Sequence, residues 1–231
     1  MPLKTCTLIK KIPLTHDVYE LHYELPESTT MLPGQFITFI IKGIGGRSYS
    51  ILELLDGRIA VLVIKKWELE AGWRGGSIKL CDAEIWEMFQ YVWPAGHFLL
   101  SEWVKNRLFL WTWTWLVPLY NQILEGLARN WEEKYQLVFG TRYIKDLYYI
   151  DRFEALKKCY PQRFYYHLVV SRDESEGIIH SWYVTDFLSK NVVSQYGEYY
   201  LCGAPSMIES CQQKLTELWV WEDSVYFEKY A

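Results

Sequence analysis

The spacing of apolar residues changes once along this chain, near residue 100, and the change limits the folds that the sequence can form. Up to that point, short stretches rich in Ile, Val, Phe and Tyr alternate with turn signals such as Leu32-Pro33-Gly34 and Asp56-Gly57. This is the pattern of β-strands joined by tight turns, and strands so closely spaced predict an antiparallel barrel. The predicted strands of the barrel span residues 4–12, 17–24, 35–42, 47–54, 58–65 and 85–92.

A glycine pair, Gly75-Gly76, interrupts the predicted barrel strands. A serine directly after such a pair is a favoured helix N-cap. We therefore expect a short helix near Ser77, with Ser77 as its N-cap.

From Arg107 onward, apolar strand segments alternate with segments of helical periodicity. That alternation predicts a parallel sheet with helices on both faces, a Rossmann-like α/β fold. Polar residues at 101–106 interrupt the apolar pattern, so we expect a barrel domain at 1–100 and an α/β domain at 101–231. The predicted strands of the second domain span 107–112, 135–139, 165–170, 199–201 and 225–227, and its predicted helices span 119–129, 151–159, 184–190 and 205–218.

Composition excludes several classes of function. Lysine and arginine number 24 and aspartate and glutamate 28, so the net charge of −4 leaves no basic excess for a nucleic acid. The five cysteines include no C-x-x-C pair and the five histidines no i, i+4 pair, so neither a metal site nor a disulfide framework is predicted. The longest nearly apolar run, 108–120, contains Pro118 and is shorter than the roughly 20 residues of a membrane helix. Because the N-terminus lacks an apolar signal core, we expect a cytoplasmic protein.

The segment Arg47-Ser48-Tyr49-Ser50 stands at the start of a predicted strand and follows a glycine-rich turn. An arginine can hold a pyrophosphate by two hydrogen bonds, and an aromatic ring two residues later lies on the same face of the strand. Such a ring can stack on a flat ligand, while a neighbouring hydroxyl can bond a ring nitrogen. On its own the segment also fits a strand edge with a surface arginine and a packed tyrosine.

Four further motifs give this segment a context. They are Pro33-Gly34-Gln35-Phe36, Gly75-Gly76-Ser77, Pro94-Ala95-Gly96-His97-Phe98 and Cys202-Gly203-Ala204-Pro205-Ser206-Met207. In their order along nearly the whole chain, the five motifs resemble those of the ferredoxin–NADP reductase superfamily. The resemblance implies an antiparallel FAD-binding β-barrel followed by a Rossmann-like parallel α/β domain that binds NADP or NAD.

The resemblance also implies roles for barrel residues. Arg47 would bind the flavin pyrophosphate, Tyr49 would pack on the isoalloxazine ring, and Ser50 would hydrogen-bond near flavin N5, the atom that accepts hydride. The glycine pair and the serine after it would offer backbone N–H groups to the pyrophosphate, which favours FAD over FMN. The implied cofactor-binding residues of the barrel are Arg47, Ser48, Tyr49, Ser50, Gly75, Gly76 and Ser77.

In the second domain, the resemblance places Cys202 beside the nicotinamide and brings Glu228 and Tyr230 to the flavin. Ser171 and Arg172 stand where members that prefer NADP bind the 2′-phosphate. From the residues alone, Cys202 also fits a small buried hydrophobic residue. Arg172 also fits a solvated loop residue, and the end of the chain also fits a frayed terminus. The implied catalytic residues are Ser50, Cys202 and Glu228, and the implied nucleotide- or flavin-binding residues of this domain are Thr112, Thr114, Arg142, Ser171, Arg172 and Tyr230.

The sequence departs from the family at its glycines. The family's glycine-rich turn, approximately G-T-G-T-G-[IL]-[AT]-P, corresponds here to Trp111-Thr112-Trp113-Thr114-Trp115-Leu116-Val117-Pro118. Trp86, Trp93 and Trp182 also stand near family glycine positions. An indole neither adopts a positive φ without strain nor lets a pyrophosphate approach the main chain. Either the loops have rearranged, or the chain has been altered or misread at these positions.

Three functions are therefore open. The first is a flavoprotein oxidoreductase that transfers hydride from NADPH or NADH to FAD, and then electrons to a ferredoxin, a flavodoxin or another acceptor protein. The alternative is a flavin-binding module of the same fold whose nucleotide site is blocked by Trp111, Trp113 and Trp115. The third is a structural α/β protein without a cofactor.

Overall fold

The computed structural model describes residues 3–68, 75–103, 105–112, 117–129 and 132–229. The chain divides into two compact units. Unit 1 comprises Met1–Leu100 with Tyr120–Gln122, and unit 2 comprises Ser101–Leu119 with Ile123–Ala231.

Unit 1 is a closed antiparallel barrel with the strand order β1-β2-β5-β4-β3-β6. Alternate residues of each strand point inward, and Leu8, Tyr23 and Phe39 are among the interior side chains with no exposed surface. The fold class predicted for this part of the sequence is confirmed. Its elements are β1 (Lys4–Pro13), β2 (Val18–Glu24), β3 (Phe36–Ile41), β4 (Gly45–Leu55), β5 (Ile59–Lys65), the helix α1 (Gly76–Asp82) and β6 (Met88–Ala95).

The predicted N-cap of the short helix is wrong. Gly75 is the N-cap residue, in the left-handed region with φ 81°, and Ser77 is the second residue of α1. The Ser77 hydroxyl instead accepts a hydrogen bond from the N–H of Trp67 at 3.2 Å. A glycine suits this position because a left-handed backbone carries no penalty without a Cβ.

Unit 2 is a six-stranded sheet of order β10-β9-β8-β7-β11-β12, in which all strands are parallel. The predicted parallel α/β architecture is confirmed. The strands are β7 (Arg107–Thr112), β8 (Tyr135–Thr141), β9 (Phe164–Val170), β10 (Ile179–His180), β11 (Glu198–Gly203) and β12 (Val225–Lys229), and the helices are α2 (Val117–Ala128), α3 (Ile150–Cys159), α4 (Lys190–Val193) and α5 (Pro205–Glu217). No helix among the described residues is long and apolar enough to cross a membrane.

The helix predicted at 184–190 is wrong. A single 3-10 turn, Val184–Phe187, is followed by the separate four-residue helix α4. Leu188 and Ser189 between them adopt extended backbone angles, which end the first turn. Strand β10 was not predicted, because two residues are too few to show a periodic pattern.

A buried ion-pair network joins the starting ends of three strands in unit 2. Arg107 has no exposed surface, and its Nε donates to Glu198 Oε2 at 2.9 Å. Its Nη1 donates to the Tyr135 hydroxyl at 3.0 Å and lies 3.4 Å from Glu133 Oε1. The Ser101 hydroxyl completes the network with a 2.6 Å hydrogen bond to Glu198 Oε1. Removing one partner from a buried pair typically costs 3–5 kcal/mol, so these contacts strongly select one strand arrangement.

A ladder of stacked aromatic rings crosses the same sheet. Tyr135 on β8 and Phe109 on β7 have ring centroids 6.2 Å apart, and Phe109 and Tyr200 on β11 are 5.0 Å apart. Tyr200 and Tyr226 on β12 follow at 4.8 Å with an interplanar angle of 15°. Cross-strand aromatic pairs stabilise neighbouring strands, and this series continues to the last strand of the sheet.

Two exposed tryptophans have a backbone conformation that favours glycine. Trp86 has φ 77° and Trp219 has φ 65°. Trp86 is the third residue of a turn closed by a 3.0 Å hydrogen bond from the Glu87 N–H to the Glu84 carbonyl. A type II turn requires a positive φ at its third residue, so glycine is the usual residue there. The sequence comparison that placed Trp86 at a glycine position thus agrees with the local backbone.

We expect Trp86→Gly to raise the free energy of unfolding by about 1 kcal/mol, because the left-handed strain at this residue disappears. Trp103 provides a matched control, since it is 70% exposed, as Trp86 is, but its φ is not in the left-handed region. Trp103→Gly is expected to lower stability slightly, because glycine only adds freedom to the unfolded chain there. Urea unfolding followed by circular dichroism measures both changes. Equal effects of the two substitutions would contradict the prediction.

Candidate functional site

Arg47, Tyr49 and Gly76 come together on unit 1. Arg47 and Tyr49 are two residues apart on β4, so their side chains lie on the same face of the strand. A Cβ added to Gly76, the first residue of α1, would lie 2.7 Å from Arg47 Cγ and 3.1 Å from the Tyr49 hydroxyl. Only glycine therefore fits where α1 begins against these two side chains.

The Arg47 guanidinium is held at the turn between β3 and β4. Its Nη2 donates to the Ile44 carbonyl at 3.1 Å, and its Nη1 donates to the Gly46 carbonyl. Gly43 and Gly45 give this turn its positive φ angles of 78° and 91°. The glycines thus shape the turn, and its carbonyls fix the position of the positive charge.

Tyr49 is half-buried beside Phe39, with ring centroids 6.0 Å apart. Burial raises the pKa of its phenol, with a smaller effect from Cys81. The ring is therefore neutral at physiological pH and presents a flat surface next to the arginine.

The two serines of the motif lie on the opposite side of β4, because successive strand residues alternate. Ser48 is exposed, and its hydroxyl is 2.9 Å from that of Thr38. Ser50 is only 7% exposed and lies opposite Phe36 in the strand register. The structure thus unites Arg47 and Tyr49 on one face and separates them from Ser48 and Ser50.

The start of α1 carries no side-chain cap. Its N-cap, Gly75, has no side chain to accept the N–H groups of the first turn. Uncapped N–H groups beside an arginine form a local environment that suits an anion. Of the predicted residues Gly75, Gly76 and Ser77, the structure places Gly76 next to Arg47.

On unit 2, three of the functional residues predicted from the sequence lie within the last two positions of their strands. In the sheet register Cys202 on β11 is paired with Trp111 on β7 and with Glu228 on β12. A Cβ added to Gly203 would lie 2.8 Å from the hydroxyl of Thr112. The structure therefore brings Thr112, Cys202 and Glu228 to the end of the sheet formed by the carboxyl ends of its strands. Open α/β sheets bind ligands at this end, which is called the carboxyl edge below.

Cys202 has no exposed surface. Burial raises the pKa of its thiol well above the ordinary value, and the nearby charge of Glu228 adds to the effect. Reactive cysteines have a lowered pKa, so this thiol is not poised to act as a nucleophile.

Tyr148 is a residue of this edge that the sequence analysis missed. It is 5% exposed and packs against Phe139, with ring centroids 5.4 Å apart. Burial raises the pKa of its hydroxyl, and Cys202 contributes. Because Tyr148 lies in a loop between two helical segments, no periodic pattern marked it.

Helix α5 begins two residues after β11 ends. Its N-cap is Ala204 and its first residue is Pro205, so no side chain caps the N–H groups of its first turn. The helix is 13 residues long. A helix of this length that begins after a parallel strand carries a positive dipole end suited to an anion.

The predicted basic residues lie at the ends of two neighbouring strands. The Arg172 N–H donates to the Arg142 carbonyl at 2.9 Å, and the Ser171 N–H donates to the Thr141 carbonyl at 3.1 Å. Both arginine side chains are exposed, and the Arg172 guanidinium lies 6.0 Å from the centre of the Tyr143 ring. Arg142, Ser171 and Arg172 thus follow the carboxyl ends of the neighbouring strands β8 and β9.

Trp111 lies in the core of unit 2. It has no exposed surface and packs on Phe139 and Phe153, with ring centroids 4.5 Å and 5.8 Å away. Its indole nitrogen has no hydrogen-bond partner within the described part of the chain. This placement does not favour the alternative in which Trp111 fills a nucleotide site. The predicted residues Trp113, Thr114, Trp115 and Tyr230 lie outside the described residues.

Comparison with known proteins gives the same fold and domain type. The family model "Oxidoreductase NAD-binding domain" matches residues 116–213. The toluate 1,2-dioxygenase electron transfer component of Pseudomonas putida is 28% identical over 204 residues, which cover 87% of this chain and 59% of the relative. The naphthalene 1,2-dioxygenase system ferredoxin–NAD(P)(+) reductase component of the same organism is 26% identical over 226 residues, covering 94% and 65%.

A solved structure of similar fold is a ferredoxin NADP+ reductase from Neisseria gonorrhoeae with bound FAD and NADP. It has a TM-score of 0.83 at 16% identity and covers 99% of both chains. The chain spans 59% and 66% of the length of the first two curated relatives that it matches.

The chain has an antiparallel barrel followed by a parallel α/β unit. Its motif residues lie at the start of α1 and at the carboxyl ends of the unit 2 strands. This combination is typical of a class of two-domain oxidoreductases. In its fold and in its NAD-binding domain, the chain is similar to proteins of the ferredoxin–NADP reductase superfamily, which supports the resemblance that the motifs carry.

Proposed function

We propose that this chain is an FAD-dependent NAD(P)H oxidoreductase that passes electrons to an acceptor protein such as a ferredoxin or a flavodoxin. The observation that carries the proposal is the carboxyl end of the unit 2 sheet, where Cys202 and Glu228 pair in register and the Thr112 hydroxyl lies beside Gly203. The matched NAD-binding family model covers 116–213, which includes Cys202 and the start of α5.

The barrel residues fit a flavin dinucleotide. The Arg47 guanidinium and the uncapped N–H groups of Gly76 and Ser77 provide positive charge and donors for a pyrophosphate. Tyr49 provides a half-buried ring on the same face for packing against a flat heterocycle. Ser50 is assigned to the flavin by the family motif, although its side chain starts from the other face of β4. FAD, when bound, supplies a group that accepts hydride and releases electrons one at a time.

The edge of unit 2 fits a nicotinamide nucleotide. The first turn of α5 offers N–H donors to a phosphate, and the neutral Cys202 thiol contributes a small side chain that packs against the nicotinamide. Hydride transfer needs alignment and exclusion of water rather than a general base, so a buried cysteine and Glu228 act by positioning. Arg142, Ser171 and Arg172 favour NADP, because two exposed guanidinium groups suit a 2′-phosphate.

The acceptor is proposed from the relatives. Two of them are an electron transfer component of a dioxygenase and a ferredoxin–NAD(P)(+) reductase component. Both names describe proteins that pass electrons to another protein, and we assign the same kind of acceptor to this chain.

A reductase assay tests the proposed function. The FAD-loaded protein is expected to oxidise NADPH with ferricyanide as the electron acceptor, and Cys202→Ala is expected to lower kcat about tenfold through lost alignment of the nicotinamide. Cys211→Ala is the matched control, because Cys211 is equally buried in unit 2 and lies on α5 outside the proposed site. Equal loss in both variants would refute the role of Cys202. No NADPH or NADH oxidation by the loaded wild-type protein would refute the function.

A substitution at the start of α1 tests the flavin site separately. Gly76→Ala places a methyl group 2.7 Å from Arg47 Cγ, so we expect at least about tenfold weaker FAD binding, measured by flavin fluorescence titration. Gly46→Ala near the start of β4 is the control, because its added Cβ would be 3.5 Å from the nearest atom, an ordinary contact. Unchanged FAD affinity of a folded Gly76→Ala variant would show that the flavin binds elsewhere.

A further inference from the structure

The residue that follows the end of α5 stands at a position that normally belongs to glycine. The Val220 N–H donates to the Leu215 carbonyl at 3.0 Å. The Trp219 N–H donates to the Thr216 carbonyl, also at 3.0 Å. These two hydrogen bonds form a Schellman motif, in which the residue at the place of Trp219 is left-handed and is usually glycine. Trp219 has φ 65° and is 89% exposed, so little packing of its indole offsets the backbone strain.

Trp86 shows the same conflict in unit 1. Its φ is 77°, and its N–H donates to the Leu8 carbonyl at 2.7 Å, which fixes the backbone in this conformation. The Trp86 side chain is also exposed. One of the two positions ends a helix and the other lies in a turn before a strand. Two unrelated local structures therefore have tryptophan where the backbone favours glycine.

The buried tryptophans lack the hydrogen bond that an indole usually makes. Trp93 and Trp111 are both buried, and neither indole N–H has a partner among the residues that the structure describes. A buried tryptophan usually finds a partner for this group, because an unpaired buried donor is costly. The surroundings of Trp93 and Trp111 thus offer nothing specific to an indole.

Most of the other described tryptophans are exposed, although tryptophan is on average a highly buried residue. Trp182 follows β10 and Trp219 precedes β12, and these two strands are the opposite edges of the six-stranded sheet. Edges separated by five strand spacings are about 24 Å apart, so one docking surface does not account for the exposed rings. The exposed tryptophans are Trp86, Trp103, Trp182, Trp219 and Trp221.

We propose that the cells that make this protein translate its tryptophan codons as glycine, so that the native chain has glycine at positions 86 and 219 and at the other tryptophan positions. UGA is a codon that can have this effect, because reassigned genetic codes read it as tryptophan or as glycine. One reassignment accounts for all 12 tryptophans together. It also removes the strain at both left-handed positions and the unpaired indole groups in the core.

The segment 111–118 supports a change confined to one codon. Its three tryptophans stand at glycine positions of the family's turn, while its two threonines and its proline agree with that turn. A rearranged loop would be free to change the neighbouring residues as well. The chain retains 14 glycines, among them Gly76 and Gly203, and the ordinary glycine codons account for these.

Mass spectrometry of the native chain, purified from the cells that make it, tests the inference. The tryptic peptide 80–105 contains position 86, and the tryptic peptide 215–229 contains position 219. Fragmentation of both peptides is expected to show glycine at these positions. The tryptic peptide 135–142 is the control, because it contains no tryptophan and its mass should be that of the sequence as it stands. Tryptophan at position 86 or at position 219 would overturn the proposal.

The gene gives a second readout that does not depend on protein yield. We expect UGA at the codons for positions 86 and 219. UGG at either codon would overturn the proposal, because UGG specifies tryptophan in both kinds of code.

Matched substitutions test the backbone argument in a recombinant chain that carries tryptophan at every one of these positions. Trp219→Gly is expected to lower the equilibrium constant for unfolding about fivefold in urea titrations, because the left-handed strain disappears. Trp221 is the matched control, since it is 85% exposed and its φ is −69°. Trp221→Gly is expected to raise that constant about twofold, because glycine only adds freedom to the unfolded chain there. Equal effects of the two substitutions would overturn the argument.

This inference stands apart from the proposed function. A native chain that contains glycine at positions 86 and 219 but oxidises neither NADPH nor NADH would refute the function and leave the inference intact. A native chain that contains tryptophan there and oxidises NADPH would do the reverse.

Discussion

The buried ion pair between Arg107 and Glu198 sets the arrangement on which unit 2 depends. The two residues lie opposite each other at the starts of β7 and β11, 2.9 Å apart between Nε and Oε2. Leaving either charge unpaired in the core would cost several kcal/mol, so the strands pair in this register and not one residue away. Four residues later the same register places Trp111 opposite Cys202. An interaction at one end of the sheet thereby positions the thiol at the end where the ligand is proposed to bind.

In unit 1 the corresponding constraint is steric rather than electrostatic. Gly76 lets α1 begin in contact with Arg47 and Tyr49, where a Cβ would collide with the arginine side chain. The turn before β4 holds the guanidinium by its carbonyl oxygens, and α1 leaves its first N–H groups uncapped. A positively charged corner beside a flat ring is the result, and it suits a molecule that joins a phosphate group to an aromatic heterocycle.

Local sequence patterns predict most of the helices and strands. Contacts between residues that are distant in sequence account for most features that these patterns do not predict. Strand β7 was predicted at its observed bounds, because a strand buried on both faces is apolar throughout. The helix expected at 184–190 has the right apolar spacing, yet the extended backbone at Leu188 divides it. That Arg47 and Tyr49 share a face follows from strand alternation, whereas their contact with Gly76 joins segments that are nearly thirty positions apart. Trp111 stands at a glycine position of the family's motif, and its side chain lies in the core, because Phe139 and Phe153 from two other elements enclose it.

We propose that the chain transfers hydride from a nicotinamide nucleotide to a bound flavin. An anaerobic titration of the FAD-loaded protein with NADPH, followed by the visible absorption of the oxidised flavin, tests it most directly. We expect about one equivalent of NADPH to remove this absorption, because hydride transfer moves two electrons at once. A flavin that dithionite reduces and that neither NADPH nor NADH reduces would contradict it.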